Sequence, residues 1–168
     1  MKLFFPIIKL QNAQEGFTVI EMLLVMAIFA VLVALGTVNL FSFQHTSQIT
    51  TSVNSFIADI KEQQTKAMVG DTEGRTANAN YGLNFATTRY TLYHGTFSST
   101  DSANFVVTLP NTLQVTTTFP NSQLVFEAGT GDIVGYASTS ASITLRDTVT
   151  AAQKVLNLNR YGVITSVN

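Results

Sequence analysis

Gly16-Phe17-Thr18-Val19-Ile20-Glu21 leads into an uncharged, mostly apolar run over residues 22–43. The junction sets one carboxylate, Glu21, inside a segment otherwise composed for lipid, shortly after a glycine. At the centre of a bilayer an isolated charged side chain costs about 2.5–3.5 kcal/mol even on insertion scales, so Glu21 calls for a partner or a function. The apolar run carries no basic side chain to supply that partner.

Outward from the junction, residues 17–43 read as an apolar helix of about 27 residues, about 40 Å at the α-helical rise, against a hydrocarbon core of about 30 Å. Lys2 and Lys9 precede it, the charge bias that keeps an N-terminus on the cytoplasmic side. Gly36, Thr37 and Asn39 interrupt the run where a membrane helix can bend. Beyond residue 43 the composition changes without a helix breaker. Ile49, Val53, Phe56, Ile57, Ile60, Ala67 and Met68 recur at steps of three and four, the stripe of an amphipathic helix. Asp59, Lys61, Glu62 and Lys66 line the other side, with Glu62 and Lys66 at the favourable i, i+4 spacing, and Gly70 marks the stop. The pattern predicts one helix of about 50 residues: an assembly or membrane half over 17–43 and an amphipathic continuation over 44–70.

Residues 71–80 are polar and glycine-containing, hence a loop. Eight short β-type runs follow, at 81–85, 89–94, 105–109, 113–119, 123–127, 142–146, 154–159 and 163–167. Leu113, Val115, Thr117 and Phe119 alternate with polar neighbours, as do Leu124 and Phe126, so each strand packs one face. Pro110 and Pro120 bound strands, Asn159-Arg160-Tyr161-Gly162 reads as the turn of a final hairpin, and the Gly, Ser and Thr stretch 128–141 as a mobile loop. The fold class predicted is α+β: a long N-terminal helix packed on an antiparallel β-sheet or β-sandwich domain over 71–168.

The N-terminal pattern resembles the signal of type IV pilins and of the pseudopilins of type II secretion. In that family a short basic leader ends in Gly, a prepilin peptidase cuts after it on the cytoplasmic side, and the new N-terminal residue is N-methylated. The resemblance implies a leader over 1–16, cleavage between Gly16 and Phe17, methylation of Phe17, and a filament-assembly role for Glu21. A secretory signal peptide differs, having an apolar core of about 7–15 residues with its cleavage site behind rather than before it. A plain signal anchor fits the length and leaves Glu21 unexplained. Eight strands exceed the small sheet of a typical major pilin and resemble the GspH/FimT-like minor pilins, whose globular part is a β-sandwich against the helix. The echoes are the helix end 59–68, the strands 81–85 and 90–93, the turn 126–131 and the closing segment 158–164. The implied partners are the prepilin peptidase, other pilin or pseudopilin subunits, and the cytoplasmic (inner) membrane before assembly. The implied placement is a single-pass membrane protein with its β-domain outside, then a periplasmic or extracellular filament. The presence of Glu21 argues against the tip-most pseudopilin type, which lacks the acid.

Composition bounds what else the chain does. With leader and apolar segment set aside about 120 residues remain, enough for one domain with its own core. Removing Lys2, Lys9 and Glu15 with the leader leaves seven basic against nine acidic side chains, a net of −2, which gives no general pull toward nucleic acid. There is no cysteine, so disulfides and thiolate chemistry are excluded. Charged residues are only 11%, which suits an extracellular β-rich surface better than a cytosolic enzyme. Only His45 and His94 are present, with no ligand set at metal spacing, and no Gly-x-Ser-x-Gly elbow occurs, so no catalytic, cofactor or metal site is expected. Glu127 and Asp132 flank a glycine-rich turn where a calcium loop is imaginable, although two solvated loop acids account for them better. Some competence-system pilins bind DNA through a basic stripe, for which Arg89, Arg146, Lys154 and Arg160, with Tyr161 to stack on a base, are the candidates. The slightly acidic balance and the absence of adjacent basic residues argue against it.

Overall fold

Side-chain periodicity places the elements where the sequence does. A computed structural model describes residues 16–74 and 77–168, with the side chains of residues 36–45 outside the description. It has one long helix, α1 (Val19–Val69), followed by β1 (Tyr81–Ala86), β2 (Arg89–His94), β3 (Phe105–Thr108), β4 (Leu113–Thr117), β5 (Gln123–Phe126), β6 (Ser142–Asp147), β7 (Gln153–Leu158) and β8 (Ile164–Val167). A single 3-10 turn, Pro120–Ser122, precedes β5. The architecture is α+β, with two antiparallel sheets of four strands. The chain divides into two units, Met1–Leu40 and Phe41–Asn168.

In the first unit, every described residue from position 16 to 35 is exposed. Among the described residues no helix is long and apolar enough to cross a membrane. The sequence's apolar run lies only partly on them, since the side chains of 36–45 are outside the description. The bend expected at Gly36, Thr37 and Asn39 falls in that stretch, as does His45, and the leader residues Lys2, Lys9 and Glu15 also lie outside the described residues.

In the second unit, α1 buries Ile49, Val53, Phe56, Ile60, Gln63 and Ala67. Steps of four, three, four, three and four keep these side chains on one face. Gln63 occupies a place where the stripe was read as skipping a turn, because position rather than polarity sets what faces inward. Met68, expected in the stripe, is 54% exposed, one residue round from Ala67. Gly70 ends the helix at φ +67°. Its N–H donates to Ala67 O (3.3 Å) and the Asp71 N–H to Lys66 O (3.1 Å), the paired bonds of a Schellman cap.

One sheet runs β3-β2-β1-β5 and the other β4-β6-β7-β8. Tyr81, Leu83, Phe85, Tyr90, Leu92, Leu124 and Phe126 of the first share one core cluster with Leu113, Val115, Ile143, Leu145, Leu156 and Leu158 of the second. α1 joins it through Phe56, whose ring meets Tyr90 edge-on at 4.9 Å and Phe85 at 5.7 Å. All eight strands fall within two residues of their predicted ends. β4 stops at Thr117 rather than 119 because Thr117 Oγ1 accepts the Phe119 N–H (3.1 Å) just before Pro120. β6 gains Asp147, which pairs with Leu113 and then closes a turn by accepting the Val149 and Thr150 N–H groups on Oδ1.

The stretch read as a mobile loop, 128–141, is tied down in its first half. The Gly129 N–H donates to Ala67 O of α1 (2.8 Å), the Ile133 N–H to Arg160 O (2.9 Å) and the Val134 N–H to Val125 O (2.9 Å), while Ile133 is buried. Gln64 of α1 completes the closure. Its Nε2 donates to Gly131 O (3.1 Å) and to Tyr161 O (2.6 Å), joining the 127–132 turn to the 159–162 turn. The helix end and two of the other segments that echoed the minor pilins therefore meet at one side chain.

Candidate processing and assembly site

α1 begins one residue after Thr18. The Met22 N–H donates to Thr18 O (3.2 Å), the first helical bond, and the Glu21 N–H donates to Thr18 Oγ1 (3.3 Å). Thr18 is thus the N-cap and Glu21 the third helical residue, the T-x-x-E arrangement of a capping box. The sequence spells this out in Thr18-Val19-Ile20-Glu21, a signal that hydropathy reading passed over. A carboxylate in the first helical turn faces the positive end of the helix dipole. Part of the cost of Glu21 is therefore offset locally. Its side chain is nevertheless exposed and forms no ion pair among the described residues.

Gly16 stands just ahead. A Cβ added there would meet nothing within 4 Å, and its φ is not in the left-handed region. Nothing in the described fold asks for glycine at this position. Phe17 is 78% exposed, and Ile20, Leu23, Leu24, Met26 and Phe29 are all more than half exposed. An ordinary surface helix hides one stripe, whereas over residues 17–35 apolar side chains are exposed all round.

The remaining candidates are dispersed. Arg89 opens β2 of the first sheet, whereas Arg146 and Lys154 lie on β6 and β7 of the second. Lys154 pairs across with the buried Leu145, and exposed Arg146 pairs with Gln153, so successive positions send the two cations to opposite faces. Arg160 sits in the 159–162 turn 3.6 Å from Asp132, and Tyr161 beside it is 64% exposed. No two of the five are brought together as a stripe except the neighbours Arg160 and Tyr161. Glu127 Oε2 accepts the Thr130 hydroxyl (3.1 Å), so Glu127 and Asp132 each already have a partner. No group of three side chains suited to a metal ion occurs among the described residues. His94 is buried in stacking contact with Tyr81, their ring centroids 4.4 Å apart.

Residues 11–37 match the family model of the prokaryotic N-terminal methylation motif. That motif is the signature of type IV pilins and pseudopilins, and it implies processing by a prepilin peptidase and assembly with other pilins. No curated protein and no solved structure shows significant similarity to the chain.

Proposed function

We propose that this chain, which carries the methylation motif of type IV pilins and pseudopilins, is a structural subunit of the minor, GspH/FimT-like kind in a type IV pilus or type II secretion pseudopilus. Before assembly it sits in the cytoplasmic membrane through residues 17–43, with the β-domain outside. The leader is cut after Gly16, and Phe17 becomes the methylated N-terminus. The observation that carries this is the combination at the junction: a glycine the described fold does not require, then a carboxylate in the first turn of a helix whose apolar side chains up to Leu35 are all exposed.

The mechanism follows from charge and burial. Cleavage frees an ammonium at Phe17. In a filament the apolar helices gather, so side chains leaving lipid are covered by their neighbours. In that low-dielectric interior the ammonium of one subunit and Glu21 of the next attract strongly, whereas either alone pays its full desolvation cost. The pair therefore sets register.

Intact-mass measurement after coexpression with a prepilin peptidase tests the reading. The expected product has lost residues 1–16 and gained one methyl group. A chain that stays uncut and merely anchored sinks it.

A further inference from the structure

A concavity of about 420 Å³ opens on the outer face of the β3-β2-β1-β5 sheet, away from the core. β1 and β2 turn Leu83, Phe85, Tyr90 and Leu92 inward, so the alternate residues Asn84, Arg89 and Thr91 face out. Register sets Asn84 beside Thr91 and Thr91 beside Val106, a floor across three strands. Gly82 is on the same face, and a Cβ there would lie 2.5 Å from Tyr93 Cζ. Its bareness lets the Tyr93 ring lie along the sheet and donate to Gln123 Oε1 (3.2 Å). Phe97 packs on Tyr93 with centroids 5.3 Å apart and forms an apolar wall of the concavity.

The 95–104 segment between β2 and β3 supplies the rim, with Ser99, Asp101, Ser102 and Asn104. It is braced internally. Asn104 Nδ2 donates to Ser98 O (2.6 Å), the Ala103 N–H to Asp101 Oδ1 (2.9 Å) and the Asn104 N–H to Asp101 O (3.2 Å). A rim already ordered loses little entropy when a ligand enters. At one end stands Arg89, exposed and without an ion pair among the described residues.

Amides and hydroxyls that both donate and accept, one ring and the Arg89 guanidinium match a ligand with many hydroxyls and one carboxylate. The one acid of the lining, Asp101, accepts the Ala103 N–H on Oδ1. The volume lies within the range of small-molecule sites. A nucleic-acid strand asks instead for several cations along its phosphates, and only one is here. We propose that this concavity binds an acidic saccharide of the uronic or sialic type, its carboxylate on Arg89 and its hydroxyls on Asn84 and Thr91. The site belongs to the second unit and does not depend on whether the helix assembles.

The test is retention of the full chain, in detergent, on an immobilised panel of oligosaccharides ending in neutral hexoses, uronic acids or sialic acid. Carboxylate-bearing members should be held at least about tenfold more tightly than their neutral counterparts, the difference expected of a bidentate arginine contact. Arg89→Gln should erase that preference, Arg89→Lys restore part of it, and Asn84→Leu reduce retention, all with unchanged circular dichroism. Failure to retain any acidic saccharide, equal retention of neutral ones, or preference unchanged in Arg89→Gln overturns the proposal. Displacement of the saccharide by a single-stranded oligonucleotide, salt-sensitive and lost in Arg89→Gln, overturns it in favour of nucleic acid.

Discussion

Glu21 has two separable tasks, and its neighbour Thr18 tells them apart. Thr18 Oγ1 caps the Glu21 N–H, so Thr18→Val should weaken the helix start by about 1 kcal/mol. It leaves the carboxylate in place. Glu21→Ala removes the charge that would pair with a neighbouring ammonium; it should still be cut after Gly16 yet fail to enter filaments, while Thr18→Val assembles with reduced yield. Pelleting of sheared filaments with an intact-mass check on each variant measures both, and equal assembly of Glu21→Ala and the unmodified chain would refute the pairing mechanism. A second residue-scale prediction concerns pH. Burial first, then the bond to Asp59, pushes the Tyr90 hydroxyl well above its usual range, and burial pushes Tyr93 up to about 12. At Lys66 burial alone would lower the pKa, but bonds to Glu62 and Glu73 outweigh it and the net direction is up. The unfolded chain therefore releases all three protons first, so their contribution is level at neutral pH and stability falls above about pH 10. Tyr90→Phe keeps the ring against Phe56 but strips Asp59 of its donor, costing about 1–2 kcal/mol at pH 8. Urea midpoints at pH 8 and 11 should then differ less in Tyr90→Phe than in the unmodified chain.

Among the elements, the closing turns depend on one helix side chain. Gly162 has φ +70°, and a Cβ on it would lie 2.4 Å from Gln64 Nε2 and 2.8 Å from Phe126 Cε1. Gly162→Ala should therefore cost about 2–3 kcal/mol through backbone strain and crowding, and Gln64→Ala about 1–2 kcal/mol through two lost hydrogen bonds. The two are coupled. With Gln64 shortened, part of the crowding at position 162 disappears, so the double variant should unfold at a higher urea concentration than additivity predicts. Helix and strands were legible in sequence because periods of 3.6 and 2 survive in the apolar pattern from Ile49 to Val167. The Gly70 stop was legible for the same local reason. The role of Gln64 was not, since its partners Gly131 and Tyr161 lie 67 and 97 residues away and no local pattern announces them. The pinning of residues 128–134 was missed likewise: a glycine-rich composition speaks for freedom, whereas bonds to Ala67 and Arg160 remove it. The junction was read correctly as a motif, but the N-cap at Thr18 went unread because its signal is a polar pair rather than hydropathy. The concavity on the outer sheet face arises from register across β1, β2 and β3, which composition does not encode.

Across the whole molecule, the two units answer to different demands. Side chains from Phe17 to Leu35 are uncovered, while Phe41–Asn168 holds a core of its own. Changes at the junction should then alter processing without altering the stability of the β-domain, and changes in the β-domain should do the reverse. Gly16→Val makes the first half of this concrete. A side chain at position 16 meets nothing within 4 Å, so thermal unfolding of the domain should be the same within about 0.5 kcal/mol, as for a surface substitution. A branched residue in place of the glycine should nevertheless block the peptidase, leaving the leader attached, Phe17 unmethylated and its ammonium never formed. The uncut chain then lacks the positive charge that Glu21 of a neighbour awaits, and it should remain with the membrane fraction. Gly162→Ala supplies the converse: a domain that melts earlier on a chain still trimmed and methylated in full. The decisive reading is the crossed pattern, mass spectrometry changing only in Gly16→Val and unfolding only in Gly162→Ala. If Gly16→Val is trimmed and assembles normally, the glycine is not a processing signal and the filament reading loses its first step.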